Sequence, residues 1–129
     1  MKYSIQKEKK YHLIRIDESK VDATVSPDLK QVFTSEENAS PRNWIFDLKE
    51  VKYIDSSGLS AILIGNRVAR DVQGEFVLVG VSEHVMKLIK ISQLDKVLTI
   101  LPTVEEAVDY VFMTEIEKEM NDESEGGVS

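Results

Sequence analysis

The chain has 129 residues with 42% hydrophobic content, which suits a single globular domain and is too apolar for a disordered chain. It contains no cysteine, so disulfides, thiolate metal sites and cysteine nucleophiles are excluded. Its net charge is −7, without a basic patch that would indicate nucleic-acid binding. No signal peptide and no run of about 18 apolar residues is present, so we expect a soluble cytoplasmic protein without a membrane segment.

Much of the acidity lies at the C-terminal end. Residues 114–129 contain six acids and one base, which gives this segment a charge of −5 and leaves −2 for the remainder. We therefore predict a domain over residues 1–113, followed over residues 114–129 by the end of the last helix and a flexible acidic tail.

The N-terminal part predicts a hairpin and then a helix. Residues 2–8 alternate weakly, residues 11–16 are typical of a strand, and Lys9-Lys10 separates them as a turn. Ser26 is predicted to cap the first helix, because proline and aspartate follow it. Its core stripe consists of Leu29, Val32 and Phe33, and it should stop before Pro41.

Strands and helices then alternate. Residues 44–48 and 75–79 are short apolar runs typical of buried strands, and residues 96–100 predict a further strand. Long helical patterns follow Asp55, Ser82 and Thr103. In the last helix the side chains predicted to face inward are Ala107, Val108, Val111 and Phe112. The fold class is therefore α/β, with a mostly parallel sheet of about five strands, four helices and an antiparallel first strand.

The segment Asp55-Ser56-Ser57-Gly58 has the chemistry of a helix start. Its aspartate and serines are able to cap free backbone N–H groups, and the positive end of the helix dipole tolerates an anion. Gly58 lacks a side chain, so another surface is able to approach closely. A helix start of this composition also needs no function, and the tetrapeptide alone leaves both interpretations open.

The helix after this segment shows one broad apolar stripe that would cover a sheet, formed by Ala61, Ile62, Gly65, Val68, Ala69 and Val72. Leu63 falls nearly opposite, beside Arg67 and Arg70, with Leu59 on the same flank. Two outward leucines next to a serine-rich helix start favour a protein–protein interface.

From Trp44 to about Val111 the chain resembles the STAS domain of bacterial anti-sigma factor antagonists. The matching residues are Asp55, Ser56, Ser57, Gly58, Leu59, Ala69, Gly74, Leu88, Leu94 and Val97. Ser19, Gln73 and Gln93 stand where the family has glycine.

The resemblance implies a phosphorylation switch. In the family, the serine that follows the aspartate is phosphorylated by an anti-sigma factor that is itself a serine kinase, and here this serine is Ser56. The resemblance also implies that the unmodified chain binds this kinase and frees the sigma factor, and that a PP2C-like phosphatase resets the switch. The implied partner-binding residues are Asp22, Asp55, Ser56, Ser57, Gly58, Leu59, Leu63 and Arg67. We expect no cofactor and a monomer or weak dimer.

Two other functions compete with the switch. In an enzyme Ser56 would need a base, and His12 and His84 are the only histidines, both expected to be exposed or hydrogen-bonded. No Gly-x-Ser-x-Gly elbow is present and the acid pairs look like solvated helix faces, so we predict no catalysis and no metal site. The other alternative is a STAS interaction subunit of a lipid-transport complex or a stress-signalling scaffold, without phosphorylation.

Overall fold

The structure is a computed structural model that describes the backbone of residues 1–128 and the side chains of residues 1–121. Within these residues the strands are β1 (Tyr3–Lys7), β2 (Tyr11–Ile16), β3 (Lys20–Val21), β4 (Asn43–Asp47), β5 (Tyr53–Ile54), β6 (Phe76–Val79) and β7 (Thr99–Leu101). The helices are α1 (Ser26–Thr34), α2 (Ser56–Asp71), α3 (Glu83–Ile91) and α4 (Val104–Val128).

Five strands form one sheet in the order β1-β2-β4-β6-β7, in which β1 is antiparallel to β2 and the other pairs are parallel. The prediction of a mostly parallel five-stranded sheet with four helices and an antiparallel edge strand is therefore confirmed. From β2 to β7 the chain crosses the sheet in one direction, so right-handed connections place the helices between these strands on the same face.

The two faces of the sheet are covered unequally. On one face, α1, α2 and α3 enclose the larger core, which includes Phe33, Trp44, Phe46, Phe76 and Leu78. On the other face, α4 packs alone on a smaller apolar cluster: Leu13, Ile45, Val77, Val79, Ala107 and Val111. We refer to these as the three-helix face and the α4 face.

A second, two-stranded sheet was not predicted. Strand β3 pairs in parallel with β5, with Lys20 opposite Tyr53 and Val21 opposite Ile54. This pairing brings the loop after β3 to the start of α2. It therefore joins two segments that are far apart in the sequence at the predicted functional site.

Several predicted boundaries and orientations differ from the structure. The last strand is Thr99–Leu101 instead of residues 96–100, because Leu94–Lys96 forms a 3₁₀ turn. Phe112 is 43% exposed and Val72 is 51% exposed, although both were predicted to face the core. Val72 follows the last residue of α2, and Phe112 lies on the side of α4 that faces away from the sheet.

The positions where glutamine replaces a family glycine keep a glycine-like backbone. Gln73 and Gln93 have φ angles of 61° and 59°, in the left-handed region that favours glycine. The turns after α2 and α3 are therefore formed, with side chains that this conformation disfavours.

The C-terminal segment is not uniformly solvated. Glu115, counted with the predicted acidic tail, is buried, and α4 continues past it. The predicted flexibility of the tail falls partly on Ser129 and on the side chains of residues 122–129, which lie outside the described residues. Among the described residues, none of the helices combines the length and apolar character needed to cross a bilayer.

Candidate functional site

The start of α2 is held by Asp55. This residue is extended, and its carboxylate oxygen accepts a hydrogen bond from the backbone N–H of Gly58 at 3.1 Å. The predicted capping by Asp55 is confirmed, since the bond satisfies one of the free donors of the first turn. Ser56 is the first residue of the helix and its side chain is exposed, while Ser57 is half-buried.

Gly58 is buried against the chain itself and not left open for a partner. A Cβ atom at this position would collide with the carbonyl oxygen of Val21 in β3 and with Cγ1 of Ile54 in β5. The close approach that the sequence suggested therefore exists, but the approaching surface is the small β3–β5 sheet.

A buried serine fastens α1 to the same point. The Ser26 hydroxyl donates to the carbonyl oxygen of Ser57 at 2.9 Å, and Ser26 is 2% exposed. Ser26 is therefore not the helix cap that was predicted; Val25 occupies that position without a side-chain hydrogen bond. The Ser26 hydroxyl instead donates to the Ser57 carbonyl, 31 residues away in the sequence.

Asp22 lies in the loop after β3, next to the residues that contact the α2 start. Its carboxylate accepts from the backbone N–H of Thr24 at 3.0 Å and from the Thr24 hydroxyl at 2.6 Å. These bonds, first of all the one from the hydroxyl, lower the pKa of Asp22 below its ordinary value. Because the Val21 carbonyl also accepts from the Asp55 N–H at 3.4 Å, the fold brings the Asp22 loop and the Ser56 segment together.

The predicted outward leucines are not a free surface. Leu59 is only 9% exposed and belongs to the core of the three-helix face, and Leu63 is half-buried against that core. The prediction was wrong because α1 packs along α2 and covers a second side of the helix. Arg67 is exposed, as predicted.

An exposed aromatic pair beside the site was missed. The rings of Tyr53 and His84 are stacked, with centroids 5.8 Å apart and an interplanar angle of 18°. Both residues are exposed, and Tyr53 precedes Asp55 by two positions. The exposure of Tyr53 was predictable from its alternation with the apolar Ile54, but the contact of Tyr53 with α3 was not predictable from the sequence. The exposed surface near Ser56 thus extends to the first turn of α3.

His12 does not serve this site. It is fully buried on the three-helix face and stacks on Trp44 with ring centroids 4.2 Å apart, which corrects the expectation of an exposed or hydrogen-bonded histidine. Neither ring nitrogen forms a hydrogen bond of normal geometry to a described residue. Burial, and secondly the charge of Lys7, lower the pKa of His12, while backbone groups of Asn38 and Pro41 act in the opposite direction.

The described residues contain no cluster of three or more histidine, aspartate or glutamate side chains suited to a metal ion. The site offers an exposed hydroxyl at a capped helix start, next to an exposed aromatic pair and a loop that carries a carboxylate. Such an arrangement fits recognition by another protein and covalent modification of Ser56.

Residues 4–107 match the family model of the STAS domain. The chain belongs to the STAS domain family. The anti-sigma-B factor antagonist of Listeria monocytogenes is 32% identical to it over 83 residues, which cover 62% of this chain and 70% of the relative. BtrV of Bordetella bronchiseptica is 31% identical over 72 residues, and the chain spans 62% of its length.

Solved structures share the STAS fold at lower sequence identity. The crystal structure of an anti-sigma factor antagonist from Mycobacterium paratuberculosis has a TM-score of 0.74 and 21% identity, covering 85% of this chain and 92% of that one. The phosphorylated form of SpoIIAA, a Bacillus cell fate determinant, has a TM-score of 0.66 and 20% identity, covering 85% and 99%. At these identities the similarity is one of fold.

Proposed function

We propose that this STAS domain is an anti-sigma factor antagonist that is switched by phosphorylation of Ser56. The unphosphorylated form binds an anti-sigma factor with serine kinase activity and frees the sigma factor. The chain itself is a regulator and not an enzyme, and a PP2C-like phosphatase resets it. The observation that carries the proposal is the exposed hydroxyl of Ser56 at the first residue of a capped helix.

The geometry favours Ser56 over its neighbour as the phosphate acceptor. A kinase must reach the hydroxyl, and the side chain of Ser56 is exposed whereas Ser57 is half-buried. Ser57 is also held through its carbonyl, which accepts from the buried Ser26 hydroxyl. Moving Ser57 into a kinase active site would break this contact between α1 and α2.

A phosphate on Ser56 should block binding without unfolding the domain. It adds about −1.5 to −2 charges, which the helix N-terminus favours and the neighbouring carboxylate of Asp55 opposes. In a packed interface the same anion must be desolvated, which costs several kcal/mol unless a cation of the partner compensates. A loss of about 4 kcal/mol corresponds to roughly a thousandfold weaker binding.

The modification itself is tested by peptide mass spectrometry on the protein isolated from its own cells, in growth and under stress. We expect a phosphate on Ser56 whose occupancy changes between the two conditions. Ser57 and the exposed Ser60, one turn further along α2, are internal controls and should stay unmodified. Absence of phosphate under every condition would favour an unphosphorylated STAS interaction subunit instead.

The effect on binding is tested with the purified anti-sigma kinase of the same cell by isothermal titration calorimetry. Ser56→Ala should bind like the parent chain, and Ser56→Asp should bind about a hundredfold to a thousandfold more weakly. Ser60→Asp places the same charge on an exposed position of the same helix and should change the affinity much less. Equal affinities for Ser56→Ala and Ser56→Asp would refute the electrostatic mechanism.

A further inference from the structure

Helix α4 has an apolar stripe on the side that faces away from the sheet. Phe112, Met113, Ile116 and Met120 are 43%, 57%, 49% and 63% exposed. Their spacing brings them together on the surface of a helix, because about 100° separates successive residues. We call these four residues the outer stripe.

The outer stripe is distinct from the face that α4 buries. Ala107 and Val111 point into the apolar cluster under the helix, and at about 100° per residue the outer stripe is centred nearly opposite to them. A helix that only covers a sheet needs one apolar face. The outer stripe is largely exposed, and Phe112 makes an edge contact with Tyr11 in which the ring centroids are 6.4 Å apart.

Acidic side chains border the outer stripe. Asp109, Glu117 and Glu119 are exposed on the same turns, and residues 104–129 hold nine acids and one base. These residues therefore carry a charge of −8, while residues 1–103 carry +1. The one base, Lys118, is turned to the body of the domain, where its ammonium group donates to the carbonyl oxygen of Gln73.

We propose that the outer stripe of α4 is a docking surface for a basic amphipathic helix of a partner protein. The apolar side of such a helix would cover the four exposed side chains, and its lysines or arginines would face the acidic border. Two methionines in the stripe suit this role, because their flexible thioether side chains adapt to a partner surface. The surface lies on the α4 face, across the sheet from Ser56, so a partner there is able to bind in either state of the switch.

Charge selects this occupant over two others. A second copy of the chain would bring two helices of charge −8 together, and the neighbouring bases Lys118 and Lys10 are already engaged, with the Gln73 carbonyl and with Glu119 at 3.9 Å. An anionic bilayer would repel the same acids, whereas membrane-binding amphipathic helices carry lysine and arginine on the polar face. A cationic protein segment is the remaining class that matches both the apolar stripe and its border.

The proposal is tested by fluorescence anisotropy with two labelled model peptides. Both form amphipathic helices with the same leucine face; one carries lysine and the other glutamate on the polar face. The full chain should bind the lysine peptide with an affinity that falls as salt rises, and should not bind the glutamate peptide. Equal binding of the two peptides would overturn the charge argument.

Variants then locate the binding surface. The double variant Met113→Gln/Ile116→Gln should weaken binding of the lysine peptide about tenfold or more, which equals about 1.4 kcal/mol. Ile91→Gln removes a still more exposed apolar side chain from α3, at 69% exposure, and is the control that should leave the affinity unchanged. Asp109→Asn/Glu117→Gln should reduce the salt dependence.

Three further results would overturn the proposal. These are undiminished peptide binding by the double variant, a dimer in sedimentation that the double variant dissociates, and stripe-dependent binding to anionic vesicles. Ser56→Asp should bind the lysine peptide as the parent chain does. The proposal thus fails or survives separately from the switch, because a loss of kinase binding in Ser56→Asp with intact peptide binding would support both.

Discussion

Helices α2 and α4 are held on opposite faces of the sheet by different means. At α2 the contacts are steric: Gly58 is pressed against the Val21 carbonyl, and a Cβ at Gly65 would lie 2.6 Å from the Phe76 ring. At α4 a small apolar cluster is supplemented by a charged network around the buried Glu115. Its carboxylate accepts two hydrogen bonds from the Arg42 guanidinium, both at 3.0 Å, and one from the Asn43 side chain at 2.8 Å.

The two helices therefore tolerate different changes. A helix fixed by shape responds to added volume, and a helix fixed by charged hydrogen bonds responds to pH and to the loss of either partner. The close packing of α2 also fits the proposed switch, in which a phosphate on Ser56 acts without displacing the helix. Added volume should therefore destabilise the attachment of α2, and acid should destabilise the attachment of α4.

The largest effect is expected for Gly58→Ala, which should lower the free energy of unfolding by about 3 kcal/mol. The new methyl group meets backbone, which is unable to move aside as a flexible side chain would. The control is Glu106→Ala, because Glu106 is the third residue of α4 as Gly58 is of α2, and it is exposed. This variant should lower the free energy of unfolding by less than about 0.5 kcal/mol. Urea denaturation of both variants measures the contrast, and equal losses would show that α2 is not held sterically at this point.

The next largest effect is expected for Glu115→Gln, which should lower the free energy of unfolding by about 2 kcal/mol in urea denaturation at neutral pH. Hydrogen bonds from Arg42 are the main cause that lowers the pKa of Glu115. A lowered carboxyl pKa stabilises the fold above the unfolded value of about 4.3, and this stability is lost as pH falls through the folded pKa. The variant should therefore lose less stability than the parent chain below about pH 4. If parent chain and variant lose the same stability below about pH 4, the network does not hold α4.

On the three-helix face the titrating group is His12, whose pKa burial lowers. Protonation then favours the unfolded chain, so stability should decline as pH falls below the unfolded histidine value of about 6.5. The decline is limited to about 1.4 kcal/mol per pH unit for one proton. His12→Leu should abolish this decline in the free energy of unfolding between about pH 7 and 5. It should leave the decline caused by Glu115 at lower pH in place. The same slope in parent and variant would show that His12 is not responsible.

The sequence predicted those parts of the fold that depend on local patterns. The apolar runs of β4 and β6, the long helix after Asp55 and the start of the last helix after Thr103 are all confirmed, because each signal lies within one element. The glycine turns implied by the family resemblance also exist, although glutamine occupies them.

Features that depend on contacts between distant segments were not predicted. Strand β3 has only two residues, and its pairing with β5 is visible only in three dimensions. The burial of Leu59 results from α1 and the burial of Glu115 from Arg42, which lies 73 residues away in the sequence. At the candidate site, the sequence identified Asp55 correctly as a helix cap, but it missed the contact between Tyr53 and His84.

The smallest effect tests the point where the two helices are linked. Gln73 follows the end of α2 in a left-handed conformation, and its carbonyl accepts from Lys118 of α4. Gln73→Gly keeps this carbonyl and removes the steric conflict of Cβ, so it should raise the free energy of unfolding by about 0.5–1 kcal/mol. Gln93→Gly has the same backbone geometry, its side-chain oxygen accepts from Lys96 and not from the described part of α4, and it should give a similar gain in thermal or urea unfolding. If Gln93→Gly stabilises and Gln73→Gly does not, the Gln73 turn depends on more than its backbone, and the attachment of α2 and α4 is coupled at that turn.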